Sequence, residues 1–178
     1  MLGVDPGSRR TGWGLLEARP GRARLIACDV ISLSSSRSFE QRLYDLQQAF
    51  HEVVHRLRPQ TAAVEAPFHG VNARAALQLA HARGVLLAVL AGAGVPVVEY
   101  APATVKKAVA MNGRAEKAQV QAMVSLLLGL DEPLKQPDLA DALAVALCHS
   151  GGLGGAAPAR GSSAAARRAW TRKLEGRR

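Results

Sequence analysis

The sequence predicts an α/β layer structure with a mixed central sheet flanked by helices, and three observations carry that expectation. The first 33 residues hold three strand-like runs separated by turn residues. From Phe39 the apolar spacing lengthens to that of a helix, and two short apolar runs at 61–65 and 97–100 then alternate with helical stretches. A length of 178 residues with 48% apolar content is enough for one substantial core.

Residues 1–16, MLGVDPGSRRTGWGLL, read as a hairpin. Leu2 and Val4 flank Gly3 in a narrow strand that ends on Asp5, leaving backbone close to whatever binds that carboxylate. Pro6 and Gly7 stop the strand, with Gly7 suited to a positive φ in the turn and Arg9 and Arg10 at its tip. Residues 24–33, RLIACDVISL, supply a third antiparallel strand. The serines of 34–38 suit a turn and helix cap, after which Phe39, Leu43, Leu46, Phe50, Val53 and Leu57 mark one apolar helix face. His51 and His55 share that helix at a spacing compatible with metal, but with no third ligand evident they read as a solvated face.

Residues 61–65, TAAVE, form a buried parallel strand after this crossover helix and end on Glu65. A loop at 66–71 follows, and Asn72 caps a helix over 73–90 that is apolar on most sides, as expected if a second copy of the chain covers it. A strand at 97–100 leads to a helix opened by Pro102 and carrying Lys106 and Lys107. After a turn at 112–114, helices are expected over 115–128 and 138–148, joined by a polar connection at 131–137.

The net charge of +9 is uneven: residues 151–178 carry seven Lys or Arg and one Glu, a net +6. That stretch of glycine, alanine, serine and arginine is expected to be a disordered basic tail, leaving 1–150 as the folded domain. A basic balance favours a polyanionic partner. The chain opens on a strand with no charged leader, and no apolar run of spanning length is free of polar residues, so a cytoplasmic protein without a membrane partner is expected. Cys28 and Cys148, in apolar surroundings, read as small buried hydrophobes.

Four acids stand at element ends: Asp5, Glu65, and the pair Asp138 and Asp141, which face the same way one helical turn apart. If the last helix crosses the central strands, all four meet where open α/β sheets place their ligands. Carboxylates at about 4 Å repel by roughly 4 kcal/mol at an effective dielectric near 20, and a hard divalent cation such as Mg²⁺ or Mn²⁺ relieves that strain. Two such ions suit an in-line displacement at phosphorus. For Asp138 and Asp141 alone, the helix dipole is an alternative explanation; for Asp5 and Glu65 it is not.

DPGSRRTGWG at 5–14, VEAPFHGVN at 64–72, NGRAEK at 112–117 with VQAMV following, and DLADALAVALCH at 138–149 together resemble the RuvC family of bacterial Holliday junction endonucleases, in order and spacing over residues 1–150. The resemblance implies a ribonuclease H-like fold and a homodimer that nicks two symmetry-related strands of a four-way DNA junction, leaving 5′-phosphate and 3′-hydroxyl ends. It implies catalytic, metal-binding roles for Asp5, Glu65, Asp138 and Asp141, with two Mg²⁺ per site and Mn²⁺ as a substitute. It puts the junction-stacking ring on Phe68 and functional lysines on Lys106 and Lys117, with His69, Arg74, Arg9 and Arg10 as further candidate DNA contacts. RuvA and RuvB are the implied partners. Some relatives carry His where this chain has Asp138, so its site is all carboxylate; Pro67 and the basic tail are further departures. Two rival readings are a non-catalytic nucleic-acid-binding relative that relies on the tail, and an actin-like ATPase fragment, which would need a second lobe that 178 residues do not provide.

Overall fold

Alternation along the first strand divides the molecule into two layers around one sheet. In β1 (Leu2–Asp5), Leu2 and Val4 turn to a core shared with Trp13, Phe50 and Leu86, while Gly3 turns to the opposite face. The computed structural model describes residues 1–19, 22–66, 72–132 and 134–151. β2 (Arg10–Arg19) and β3 (Arg22–Ser32) continue the antiparallel meander, α1 (Phe39–Leu57) crosses over, and β4 (Ala62–Glu65) returns parallel to β1. α2 (Ala73–Gly92) leads to β5 (Val97–Tyr100), parallel to β4, and the chain finishes with α3 (Pro102–Ala110), α4 (Lys117–Leu128) and α5 (Pro137–Ser150). The strand order β3-β2-β1-β4-β5 is the expected mixed sheet. α1 and α2 cover the Leu2 face; α3, α4 and α5 cover the other, around Leu16, Tyr100, Val109, Val124 and Leu143.

The helix ends follow from capping chemistry. Ser38 and Gln41 form a capping box at α1, and Asn72 accepts from the Ala75 N–H at α2. α4 starts at Lys117 rather than 115, because Glu116 takes the N-cap position and its N–H donates to the Gln119 side chain. The second strand is longer than expected at both ends, so Arg10 belongs to β2, paired with Ser32, and not to the turn tip. Gly7 also departs from expectation. It is not among the positive-φ glycines, which in the described residues are Gly94, Gly129 and Gly151. A side chain there would instead lie 1.9 Å from the Arg10 carbonyl, in a turn tied by the Thr11 hydroxyl donating to the Gly7 carbonyl.

α5 lies across β1 and β2 on a floor of glycines. A Cβ at Gly3 would stand 2.2 Å from the Ala142 carbonyl oxygen, one at Gly12 2.0 Å from the Asp138 carbonyl oxygen, and one at Gly14 2.3 Å from Leu143 Cδ2. What comes close to the Gly3 backbone is thus the last helix. The alanines of α5 complete the contact, and from Ala142 to Ser150 every residue of the helix is buried.

α2 is long and apolar enough to cross a membrane by length and composition, although Gln78, His81 and Arg83 interrupt it, and only 22% of the stretch is buried in this chain. It packs on α1 with Leu86 and Leu90 fully buried, leaving Leu77 62% exposed.

Gly12→Ala is expected to destabilise the fold by about 3 kcal/mol or more, because two backbones cannot yield, and Gly14→Ala by about 1–3 kcal/mol, because a Leu side chain can partly move. Urea denaturation of both variants checks the order; equal, negligible losses would contradict the close contact.

Candidate active site

Strand register brings the first two acids together. Asp5 sits opposite Gly12 of β2, while on its other side β4 pairs in parallel with Gly3 level with Ala63 and Val4 level with Val64. Continuing that register sets Glu65 beside Asp5, and alternation puts both on the face that α5 covers, with Gly3 and Ala63. Because Gly12 has no side chain, α5 begins directly over this spot, with Pro137 in its first turn and Asp138 and Asp141 on one side of the helix.

The electrostatics report the convergence. Asp5 has its pKa pushed up to about 7 by burial first, then by the charges of Asp141, Glu65 and Asp138. Glu65 is raised as well, by burial and by Asp141, with Lys106 and Lys117 opposing. The two helix acids have cations of their own: Arg10 Nε meets Asp138 Oδ2 at 2.7 Å, and Lys117 Nζ meets Asp141 Oδ2 at 3.5 Å. Asp5 and Glu65 have no such ion pair among the described residues.

A cleft of about 540 Å³ collects Asp5, Glu65, Asp141, Lys106 and Lys117. A larger one of about 720 Å³, beside His51, His55 and Arg58, has no carboxylate in its lining and lies between α1 and α2. Its two histidine rings are stacked with centroids 6.2 Å apart, and among the described residues no third ligand joins them.

The donor set fits a hard cation: carboxylate oxygens brought together, one of them, on Asp5, with its pKa pushed up to about 7 by burial first and then by its neighbours' charges. Among the described residues no three such side chains are gathered closely enough to hold an ion; Asp138 lies against Arg10 and Asp141 against Lys117.

Arg9 is exposed on the turn, with its carbonyl accepting from the Leu33 N–H at 2.8 Å, and Arg74 is exposed in the first turn of α2. Neither lines the acid cleft. Phe68, His69 and residues 152–178 lie outside the described residues.

Two supports went unread in the sequence. Arg83 of α2 pairs with Glu99 at 2.8 Å and directs Nε toward the Glu65 carbonyl at 3.5 Å, bracing the ends of β4 and β5. An arginine interrupting an apolar helix was the available signal. At the far end of α5, His149 joins the Tyr100 hydroxyl at 2.9 Å and the Thr61 hydroxyl at 3.0 Å, fastening the helix to β5 and to the start of β4.

The family model described as crossover junction endodeoxyribonuclease RuvC matches residues 1–149. A protein of that description from Moorella thermoacetica is 47% identical over 150 residues, covering 84% of this chain and 90% of its own length. The one from Sorangium cellulosum is 44% identical over 164 residues, 92% of this chain and 91% of the relative. The structure of Thermus thermophilus RuvC, of ribonuclease H-like fold, superposes with a TM-score of 0.76 at 37% identity, covering 84% of this chain and 93% of that one. The same enzyme in complex with Holliday junction substrate also gives a TM-score of 0.76, at 35% identity and the same coverage.

The raised carboxyl sets a direction for stability against pH. With Asp5 at about 7 in the folded chain and 3.8 as its ordinary value, the unfolded chain loses this proton first as pH rises. Its contribution therefore makes metal-free stability fall between about pH 4 and pH 7 and level off above. Asp5→Asn is expected to remove that fall, so that in chelator the variant is the more stable protein near pH 8 and the gap closes toward pH 4. Urea denaturation across the range measures it.

Proposed function

The chain belongs to the RuvC family of crossover junction endodeoxyribonucleases, and from that membership and the site we propose that it resolves four-way DNA junctions by paired symmetric nicks. The observation that carries the reading is the convergence of Asp5, Glu65, Asp138 and Asp141, from three separate segments, at one end of the sheet. Hydrolysis forms a bond from a water oxygen to phosphorus and breaks the bond to the 3′ oxygen, which takes up a proton, leaving 5′-phosphate and ligatable 3′-hydroxyl ends.

Divalent-metal dependence goes with the family; the finer reading is two Mg²⁺ per site, with Mn²⁺ as a substitute. Asp5, Glu65, Asp138 and Asp141 would hold the ions, which when bound supply Lewis-acid stabilisation and a water of lowered pKa. Lys106 and Lys117, from the same cleft, steady the anionic phosphoryl group by charge. Arg9, Arg10 and Arg74 are proposed to follow the DNA backbone, and Phe68 with His69 to meet bases at the branch, where stacking is worth about 1–3 kcal/mol per base.

Paired nicks need paired sites. The uncovered apolar length of α2 and the shallow depression formed by Leu43, Ala80, Gly84, Val85 and Ala88 support a homodimer through this face. Residues 1–150 are proposed as the nuclease domain, with 151–178 adding non-specific attraction to DNA. Action on DNA with RuvA and RuvB in the cytoplasm completes the reading.

A labelled four-way junction and a matched linear duplex, each with Mg²⁺, Mn²⁺ or chelator, test it. Symmetric nicks confined to the junction and dependent on metal are expected; cutting in chelator, or of both substrates alike, would contradict it. Asp5→Asn should bind the junction but lower cleavage by about a thousandfold or more, consistent with loss of a group acting on the transition state. Deleting residues 151–178 should leave metal-dependent nicking in place while weakening the salt dependence of binding.

A further inference from the structure

The two acids of α5 meet their cations differently. Lys117 reaches Asp141 at 3.5 Å through a side chain 79% exposed, a loose approach by a flexible stem. Arg10 makes a two-pronged contact: Nε donates to Asp138 Oδ2 at 2.7 Å and Nη2 to Gln136 Oε1 at 2.9 Å. Gln136 is the N-cap residue of α5, yet its side chain makes no capping hydrogen bond, its amide oxygen being directed to Arg10. The planar fork thus spans the cap and the first-turn acid, and the Arg10 backbone is held in β2 opposite Ser32. The fork occupies a carboxylate oxygen that a hard cation would use.

We propose that Arg10 is the resident counter-ion of Asp138, which a divalent cation has to displace, so that Arg10 sets how tightly the site takes that ion. The inference rests on the reading of Asp138 as a metal ligand. It accounts for two features together: Asp138 belongs electrostatically to the group around Asp5, and yet the acids are not gathered at ion-holding distance. Displacement frees one oxygen of Asp138, and a guanidinium half exposed at the mouth of the site is released toward solvent.

Mn²⁺ alone, titrated into the full-length protein without DNA and followed by the electron paramagnetic resonance of the free ion, tests the proposal. Arg10→Ala is expected to bind Mn²⁺ about five- to tenfold tighter than the parent chain, the scale of removing a well-aligned charged competitor. Arg10→Lys, which keeps the charge and loses the fork, should fall between the two and carries the test if the alanine variant does not fold. In an Asp138→Asn background, Arg10→Ala should change affinity by less than about twofold. Unchanged or weaker Mn²⁺ binding by the Arg10 variants would overturn the proposal, weaker binding marking Arg10 as a residue that positions Asp138. A parent chain that takes up no Mn²⁺ would overturn the metal-ligand reading itself.

Discussion

Side chains ordinarily hold packed elements about 8–10 Å apart, and in this protein three glycines remove that spacer beneath one helix. Gly3, Gly12 and Gly14 let α5 rest with its backbone against β1 and β2, and the contact at Gly12 is made by the carbonyl of Asp138 itself. The helix therefore enters the sheet at the residue opposite Asp5, and its acids Asp138 and Asp141 come to the strand end. The approach of Asp138 and Asp141 to Asp5 and Glu65 depends on that closeness.

Closeness of like charges destabilises, so the frame around it has to be strong. Burial and three neighbouring carboxylates push Asp5 far from its ordinary range, and repulsion between unit charges at about 4 Å is roughly 4 kcal/mol at an effective dielectric near 20. The opposing terms are distributed: α5 is buried through its last nine residues, and hydrogen bonds among Tyr100, His149 and Thr61 tie down its end. Arg83 braces the neighbouring strand ends from the opposite layer. The fold holds the acids in place, and Arg10 and Lys117 temper their charge at the rim.

Much of this was legible in the residues. Periodicity located the meander strands and α1, and short apolar runs with capping or proline signals located the other elements of the described residues; acids closing apolar strands, where burial disfavours them, marked Asp5 and Glu65. Gly3 marks a place of close approach, but a glycine in a strand does not say what approaches it, and the partner is more than a hundred residues away. The same limit hid the Arg10–Asp138 contact, whose members are 128 residues apart; a local pattern could place Arg10 beside a turn and no more. Turn chemistry makes Gly7 suited to a positive φ, whereas steric closeness to Arg10 is what excludes a side chain there. Arg83 and His149 are polar residues inside apolar helices, a signal that marks a buried partner without naming it.

The central claim is that these four carboxylates form one cation site, and anomalous diffraction from crystals equilibrated with Mn²⁺ tests it most directly. A peak bounded by Asp5, Glu65, Asp138 and Asp141, with Asp138 turned from Arg10 toward the ion, is the predicted result. Full-occupancy Mn²⁺ elsewhere on the protein, with Asp138 still on Arg10 and Asp141 still on Lys117, would contradict it.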